Sequence, residues 1–234
     1  MLEIQDLTVD YQAIRAVDHV SLRLNSGTFG ALIGKNGAGK SSLLAAVAGL
    51  VRPTTGTIGL EGASLAGLSP HRRLRRGVVY VAEDGPIFDE MSVRDNLLLG
   101  VIAKGSGPAG ARRGDGLDRA VERFPILRGR MRQGAATLSG GERRALALAR
   151  ALASEPSLLL VDEPFLGLSP KAVSSVVEVL LAAVGDGCTV LVAEQLPAPL
   201  VQAGALLHVL DRGSLVRIVS GGDVIEEDFE ELLP

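Results

Sequence analysis

The beginning of the chain alternates between hydrophobic and polar positions. Residues 2–9 follow this period of two, and so do residues 20–24, which are closed by Asn25, Ser26 and Gly27. Alternation of this kind places apolar side chains on one face of a β-strand. We therefore predict two antiparallel strands, with Tyr11 in a turn after the first, that form a small N-terminal β-layer beside the rest of the protein.

Four later segments are almost entirely apolar instead. They are residues 29–33, 78–81, 158–161 and 189–193. A strand that is buried on both faces has this pattern, and such strands are typical of parallel sheets. We predict a mainly parallel sheet with residues 78–81 as a central strand. Residues 208–210 and 215–219 predict a closing pair of strands.

Helical patterns occupy most of the intervals between these strands. The predicted helices cover residues 42–48, 91–99, 117–123, the stretch from Glu142 to Ser154, and 171–184. Residues 104–116 are rich in Gly, Pro, Ala and Arg, which favours a flexible loop. Residues 90–150 are thus predicted to be a mostly helical insert. Strands that alternate with helices indicate an α/β fold.

Composition limits the kinds of protein that this chain can be. With 234 residues, of which 47% are hydrophobic, the chain can form one large domain or two small ones around a sizeable core. The net charge of −3 argues against a nucleic-acid binder, which usually has a basic surplus. Cys188 is the single cysteine, so no internal disulfide can form, and we expect it to be a buried small hydrophobe.

Two segments bear on a membrane role. The first residues alternate and include early acids, which is unlike a signal peptide. The most apolar long window, residues 189–210, contains Glu194, Pro197, Pro199 and His208, so it is not expected to span a bilayer as a helix. Any membrane role is therefore expected to depend on a partner.

A glycine-rich segment between a predicted strand and a predicted helix has the spacing of a P-loop. It reads Gly34-Lys35-Asn36-Gly37-Ala38-Gly39-Lys40-Ser41, followed by Ser42. The glycines leave space for backbone N–H groups to converge on an anion at a helix N-terminus. The Lys40 charge suits the β- and γ-phosphates, and the Ser41 hydroxyl suits Mg²⁺. We predict that this segment binds nucleotide.

A second motif stands at the end of the apolar strand 158–161. Asp162 and Glu163 follow that strand directly, at the edge where parallel sheets bind ligands. Asp162 is suited to hold Mg²⁺, and Glu163 to orient or deprotonate an attacking water. Glu83 follows another apolar strand and is expected at the same edge.

Three other features allow more than one interpretation. The run Leu138-Ser139-Gly140-Gly141-Glu142 precedes a helix, and is either an anion site or an ordinary N-cap. Tyr11 is either an adenine-stacking residue or a partly buried tyrosine at a strand end. The basic run 71–76 is either an anion patch or the solvated face of a short helix, and the acidic balance of the chain favours the second interpretation.

Taken in order, the P-loop, the Leu138–Glu142 run and the 158–163 motif resemble the nucleotide-binding subunit of an ABC transporter over nearly the whole chain. The resemblance implies one domain, residues 1–234, with residues 90–150 as its helical subdomain. It also implies ATP and Mg²⁺ as cofactors, an adenine-stacking role for Tyr11, and a head-to-tail pair of ATPase domains. In such a pair, residues 138–142 of one chain face the ATP of the other.

The finer pattern is similar to the smaller ATPase of branched-chain amino acid importers. This similarity rests on residues 80–83, 87–88, 91–97, 124–127, 162–170 and 192–195. Most ABC proteins have Gln where this chain has Glu83 and His where it has Gln195, but both variants resemble this subfamily. Glu83 is then implied as a third contact for Mg²⁺ or its water network, and Gln195 as a donor to the γ-phosphate that cannot titrate near neutral pH.

The resemblance also implies partners and a location. It implies integral membrane permease subunits, a second ATPase or an identical copy, a solute-binding protein that acts indirectly, no nucleic acid, and a peripheral position on the cytoplasmic face of the membrane. Surfaces near residues 83–99 are the expected docking region. Asp84-Gly85-Pro86 replaces the subfamily's usual Gly-Arg, which could weaken that contact.

Two alternatives to amino acid import stay open. One is a related transporter for urea or a lipid-linked substrate. The other is a soluble ABC-type ATPase that acts on DNA or ribosomes. The second alternative usually comes with a coiled-coil insertion or fused ATPase domains, and this sequence has neither.

Overall fold

The computed structural model describes residues 1–85, 87–103 and 111–224. Its strands are β1 (Leu2–Tyr11), β2 (Ile14–Leu24), β3 (Phe29–Ile33), β4 (Thr55–Leu60), β5 (Ala63–Ser64), β6 (Val78–Val81), β7 (Leu158–Asp162), β8 (Thr189–Glu194), β9 (Leu206–Asp211) and β10 (Ser214–Ser220). Its α-helices are α1 (Lys40–Ala48), α2 (Pro70–Arg75), α3 (Val93–Ala103), α4 (Ala111–Arg123), α5 (Pro125–Arg128), α6 (Gly140–Ala153), α7 (Pro170–Gly185) and α8 (Ala198–Gln202).

The alternating N-terminal strands form an antiparallel sheet, as predicted. Its strand order is β2-β1-β4-β5, and β1 pairs with both β2 and β4. Leu2 lies opposite Leu24, and Ile4 lies opposite Leu22, so their apolar side chains share the buried face. Tyr11 does not lie in a turn, because it is the last residue of β1 and pairs with Ile14 across the hairpin.

The second sheet has the order β10-β9-β3-β8-β7-β6 and is mainly parallel, with β10 antiparallel to β9. The predicted α/β class is confirmed. The prediction that residues 78–81 form a central strand is wrong, since β6 is at the edge of the sheet. Val79 and Val81 face one hydrophobic core, whereas Val78 and Tyr80 face the other. Burial on both faces, rather than a central position, explains the continuous apolar run.

The described chain between β6 and β7 is mostly helical, but the predicted loop 104–116 is partly wrong. Residues 104–110 lie outside the described ranges, while residues 111–116 belong to helix α4. The glycine at position 116 permits close packing, because a Cβ there would lie 3.2 Å from the Ala153 carbonyl of α6. Phe124, just after α4, is buried in the main core. Close helix packing therefore accounts for part of the composition that suggested a loop.

The basic run 71–76 forms helix α2 and its end, with one exception to the predicted solvated face. Arg73 is buried and donates to the carbonyls of Ala46 (2.7 Å), Val47 (2.8 Å) and Leu68 (3.2 Å). Two of these carbonyls belong to the last turn of α1, where backbone acceptors lack helical partners. Burial lowers the pKa of Arg73. This arginine therefore stabilises the end of the P-loop helix.

A further sequence prediction concerns the burial of Cys188. Cys188 is buried at the entry to β8, as predicted for a small hydrophobe. Within the described ranges, no helix has both the length and the apolar character that are needed to cross a membrane.

Candidate functional site

The P-loop connects the end of β3 to the first turn of α1. Gly37 and Gly39 have φ values of +82° and +99°, which residues with a Cβ rarely adopt. A Cβ at Gly39 would lie 2.2 Å from the Ala16 carbonyl, and one at Gly34 would lie 2.4 Å from the Leu210 carbonyl. The glycines are therefore required both for the backbone turn and for the close approach of β2 and β9.

Lys40 is held inside this loop. Its Nζ donates to the Gly34 carbonyl (2.7 Å) and to the Lys35 carbonyl (3.1 Å), and the residue is buried. Burial lowers the pKa of Lys40, while the charges of Glu163, Asp162 and Glu194 favour its protonated form. The ammonium group is thus already positioned at a helix N-terminus, where an anion is stabilised.

Asp162 connects the P-loop helix to strand β6. Its Oδ1 accepts from the Ser41 hydroxyl (3.0 Å), and its Oδ2 accepts from the Tyr80 hydroxyl (3.0 Å). Burial raises the pKa of Tyr80, with the Asp162 charge as the next cause, so this hydroxyl stays a donor. The sequence analysis missed Tyr80. Its signal was a single hydroxyl in an apolar strand that ends at the same sheet edge as β7.

These groups are chemically suited to Mg²⁺. The Ser41 hydroxyl and the Asp162 carboxylate are hard oxygen ligands, and their contact joins the P-loop to the end of β7. The described residues contain no group of three or more His, Cys, Asp or Glu that could hold a metal ion. The hydroxyl and carboxylate oxygens fit Mg²⁺, which usually keeps several waters and substrate phosphates as ligands rather than an all-protein cage.

Glu163 has an unusual backbone conformation. Its φ is +44°, in the left-handed region that residues other than glycine rarely adopt. Its N–H donates to the Ala193 carbonyl (2.9 Å), and its carbonyl accepts from Arg144 of helix α6. Such strain costs roughly 1–3 kcal/mol and is commonly found at functional sites. Contacts with strand β8 and helix α6 therefore impose the direction in which this residue leaves the sheet.

The end of β8 brings two more candidate residues to this edge. Gln195 follows the strand, as expected, and Glu194 is a buried acid to which the sequence analysis gave no role. Glu194 accepts hydrogen bonds from the N–H groups of Phe165 (2.9 Å) and Gln195 (3.2 Å). Burial raises the pKa of Glu194 to about 7, against the lowering effect of these two hydrogen bonds. The sequence signal that could have identified Glu194 is its position as an acid directly after an apolar run.

Glu83 lies in the turn after β6, near the other carboxylates. Its side chain is exposed, and its charge contributes to the raised pKa of Tyr80. Its backbone carbonyl accepts from Arg144 (3.0 Å). The Glu83 carboxylate is thus near the Tyr80–Asp162 pair, and a direct role in holding Mg²⁺ stays a prediction.

The Leu138–Glu142 run forms a helix N-cap, which was one of its two interpretations. The Ser139 hydroxyl accepts from the Glu142 N–H (3.4 Å), while the Glu142 carboxylate accepts from the Ser139 N–H (2.9 Å). This reciprocal pair is a capping box. The backbone hydrogen bond from Ser139 lowers the pKa of Glu142. Ser139, Gly140 and Gly141 are exposed, so they are available to a ligand outside the chain.

Tyr11 is an exposed aromatic residue of the N-terminal β-layer. It is 43% exposed at the end of β1, opposite Ile14, which is 72% exposed. An exposed aromatic ring can stack on a planar base, so the adenine interpretation stays a prediction.

Comparison with known proteins identifies the family. The ABC transporter family model matches residues 17–166. BraG of Pseudomonas aeruginosa, a high-affinity branched-chain amino acid transport ATP-binding protein, is 34% identical over 225 residues, which are 96% of this chain and 95% of that protein. LptB of Haemophilus influenzae, a lipopolysaccharide export system ATP-binding protein, is 36% identical over 195 residues, which are 83% of this chain and 80% of that protein.

A solved structure supports the fold independently. The ATP-binding cassette MJ0796, solved as a dimer in a post-hydrolysis state bound to ADP and Pi, superposes with a TM-score of 0.86 at 23% identity. The alignment covers 96% of this chain and 100% of that one. Together with the family model and the relatives above, these observations lead to one conclusion: the chain belongs to the ABC transporter family and is an ATP-hydrolysing subunit of that family.

Proposed function

We propose that this subunit hydrolyses Mg²⁺-ATP to power the import of branched-chain amino acids through integral membrane permease subunits. The whole chain would act as one nucleotide-binding domain, with residues 90–150 as its helical subdomain, on the cytoplasmic face of the membrane. The similarity to BraG over 96% of the chain supports this substrate class. A solute-binding protein would deliver the amino acid to the permease.

The observation that carries the hydrolytic part is the convergence of Lys40, Ser41, Asp162 and Glu163 at one sheet edge. Ser41 and Asp162 are in hydrogen-bond contact, and the charges of Asp162 and Glu163 act on Lys40. Residues 34–42 would bind the phosphates, and Tyr11 would stack on adenine. Ser41, Asp162 and Glu83 would hold Mg²⁺, which when bound neutralises charge on the phosphates.

Three side chains have proposed roles in the chemical step. Glu163 would accept a proton from the attacking water, or orient that water, because its carboxylate follows β7 at the P-loop edge. Gln195 would donate a hydrogen bond to the γ-phosphate. Lys40 would stabilise the charge that develops on the transferred phosphoryl group.

The exposed Ser139–Gly141 segment supports a paired arrangement. It presents a hydroxyl and free backbone N–H groups at the start of α6, a 14-residue helix, outside the chain's own P-loop. In a head-to-tail pair, this segment would complete the ATP site of the other subunit. The dimeric cassette MJ0796 supports such a pair. The second subunit would be either another ATPase or a copy of this chain.

An apolar groove is the proposed docking site for the permease. It has a volume of about 700 Å³ and lies between strand β6 and helices α3 and α6. Leu50, Phe88 and Ile102 line it and are about half exposed. The Arg150 guanidinium lies 5.4 Å from the centre of the Phe88 ring. Gly85 also lines the groove, whereas Pro86 lies outside the described residues. The occupant would be an apolar segment of the permease.

A second candidate function is the export of a lipid-linked substrate. LptB is as similar to this chain as BraG is, although over a shorter part of it. The transported molecule need not contact the ATPase, so the catalytic residues are compatible with both substrate classes. A urea transporter is a further alternative from the same branch.

Capture of the membrane partners tests these proposals. A tagged Glu163→Gln variant would be incubated with detergent-solubilised membranes in Mg²⁺-ATP, and bound proteins would be identified by mass spectrometry. Leu50→Asp in the same background is the control that should lose the permease if the groove is the docking site. Recovery of a permease, followed by uptake of labelled leucine that depends on this subunit, would support amino acid import.

Other results would redirect or end the transport proposal. A permease whose deletion causes a lipid-linked substrate to accumulate, without an effect on leucine uptake, would favour the second candidate. Recovery of only soluble or nucleic-acid-bound partners would contradict a transport role and leave the ATPase activity unaffected.

A further inference from the structure

The short loop that follows β7, residues 163–165, is contacted by two side chains of opposite charge. Arg144 reaches it from helix α6, and Glu194 reaches it from the end of β8. The loop begins with Glu163 in a left-handed backbone conformation, which is unfavourable for a residue with a Cβ. Such a conformation persists only where the surrounding contacts impose it.

Arg144 makes a double contact with backbone carbonyls. Its Nη1 donates to the Glu163 carbonyl, and its Nη2 donates to the Glu83 carbonyl (3.0 Å). A guanidinium is planar and presents several donors in a fixed geometry, so one side chain can fix the spacing of two carbonyls. Arg144 thereby ties the Glu163 loop to the turn after β6.

Glu194 makes the complementary double contact with backbone N–H groups. Its Oε1 accepts from Phe165 (2.9 Å), and its Oε2 accepts from Gln195 (3.2 Å). An ionised carboxylate has two acceptor oxygens and can serve both donors at once. Glu194 thereby ties the same loop to the residue that is expected to contact the γ-phosphate.

We propose that Arg144 and Glu194 are positioning residues that jointly fix the loop 163–165, and with it the direction of the Glu163 side chain, for hydrolysis. The proposal rests on the proposed role of Glu163 as the residue that activates water. Neither residue needs to touch the substrate. Each holds the loop on one side and a second active-site segment on the other.

The electrostatic setting of Glu194 agrees with this role. The residue is 6% exposed, and burial raises its pKa, as does the neighbouring Glu163 charge. The two backbone hydrogen bonds and the Arg144 charge act in the opposite direction, and the Lys40 ammonium also interacts with Glu194. Burial of the Glu194 carboxylate close to the Glu163 charge is expected to lower the stability of the fold. Its two backbone contacts supply a functional reason for its presence.

Substitutions that remove one contact at a time test the proposal. The variants are Arg144→Gln, Arg144→Lys and Glu194→Gln, assayed in the full chain for kcat, KM and the Kd for ATP. Because small misplacements of a reacting group can cost about 100-fold in rate, we expect kcat to fall between about tenfold and 100-fold with the Kd for ATP unchanged. Arg144→Lys keeps the charge but cannot bridge both carbonyls, so it should recover only part of the rate.

A matched control and a double variant sharpen the test. Arg143, the adjacent residue of α6, contacts Asp89 (2.7 Å) and the Ala135 carbonyl rather than the catalytic loop, so Arg143→Gln should keep the wild-type kcat. Arg144→Gln combined with Glu194→Gln should be about as slow as the slower single variant, because both residues hold the same loop. Thermal melting followed by circular dichroism checks that each variant folds. If Glu194→Gln does not fold, the Arg144 variants still test the proposal, because Arg144 is only half-buried.

Several outcomes would overturn the proposal. A wild-type kcat in both Arg144→Gln and Glu194→Gln would do so. Full recovery of the rate by Arg144→Lys, or a raised Kd for ATP with unchanged kcat, would also do so. Glu163→Gln, assayed in parallel, separates this result from the proposed function. If Glu163→Gln keeps normal turnover, the role of Glu163 fails. If it loses turnover while the Arg144 and Glu194 variants do not, only the positioning role fails.

Discussion

The P-loop and the Ser139–Gly141 segment are both glycine-containing helix N-termini, yet their surroundings differ sharply. Lys40 is buried and bonded to two P-loop carbonyls, and Ser41 contacts Asp162 of β7. Ser139 is exposed, and the partner of its hydroxyl is the N–H of Glu142 in its own helix. The first region is assembled from several strands, whereas the second is assembled from one helix turn.

This difference agrees with the proposal that one chain holds only part of an ATP site. Contacts within the chain, including the Asp162 carboxylate, hold the P-loop groups. The Ser139 segment is ordered by its capping box but faces outward, so its free N–H groups depend on another molecule. Binding and hydrolysis should therefore depend on the first region, and pairing of subunits on the second.

The largest effect is expected from Lys40→Ala. Removing the buried ammonium leaves the phosphates without their point charge, so ATP binding and turnover should both be lost. Equilibrium binding of a fluorescent ATP analogue and phosphate release measure the two effects. Lys171→Ala, at the exposed start of α7, is the control and should behave as wild type. Normal binding by Lys40→Ala would contradict the P-loop assignment.

Glu163→Gln should separate binding from chemistry within the first region. The amide keeps the size of the side chain but cannot accept a proton, so turnover should fall by about 100-fold to 10,000-fold. ATP should still bind, and the ATP-bound pair should accumulate in size-exclusion chromatography with light scattering. Normal turnover in this variant would remove Glu163 from the mechanism.

Ser139→Ala tests the second region against a built-in control. Ser169 caps α7 in the same way, with its hydroxyl accepting from Ala172 at 3.4 Å. Loss of either cap should lower the unfolding free energy by about 1 kcal/mol. Only Ser139→Ala should also weaken ATP-dependent pairing. Equal pairing in Ser139→Ala and Ser169→Ala would show that the segment acts only as a cap.

The pH dependence of hydrolysis should identify Glu194 rather than Gln195. The pKa of Glu194 is raised to about 7, so its carboxylate becomes protonated as the pH falls through neutrality and its contacts with Phe165 and Gln195 weaken. We expect turnover to decrease below about pH 7, a limb that Glu194→Gln should remove. Gln195 cannot titrate in this range, so Gln195→Ala should slow turnover and keep the limb. Loss of the limb in Gln195→Ala would contradict this assignment.

The smallest effect concerns the stability of the framework under the P-loop. His208 of β9 is fully buried beside β3, and its Nδ1 lies 3.3 Å from the Ala31 carbonyl. Burial lowers the pKa of His208 from its ordinary value of 6.5. The unfolded chain therefore takes up a proton below pH 6.5 that the folded chain resists. Between that value and the lowered pKa of the folded chain, each pH unit should cost about 1 kcal/mol of unfolding free energy.

His208→Leu measures this contribution. Denaturant unfolding at pH 7.5 and pH 5.5 should give a smaller loss of stability in the variant than in the wild-type protein, since the buried titrating group is gone. Comparison of the two proteins at the same pair of pH values cancels the contributions of the other titrating groups. An identical loss in both would exclude His208 as the source.

Sequence predictions were correct for features that depend on neighbouring residues, and wrong for features that depend on residues far apart in the chain. The P-loop turn and the alternating N-terminal strands depend on residues that are neighbours in sequence, and the structure contains them where expected. The N-cap at Ser139, one of the two interpretations of its run, has an equally local cause. Three predictions were wrong: a central position for β6, a loop at residues 111–116 and a solvated Arg73. Strand order, close helix packing and the capping of a distant helix decided these features, and each involves residues that are far apart in the chain.

The sequence by itself determined the α/β class, the glycine-rich turn of the P-loop and the acids that follow apolar strands, because spacing and local turn chemistry specify them. Only the tertiary structure brought Tyr80 and Ser41 to the same carboxylate of Asp162, and Arg144 and Glu194 to the same loop. The physical reason is that parallel strands joined by helices gather their carboxyl ends at one edge. The side chains that meet there come from segments whose separation along the chain carries no periodic signal.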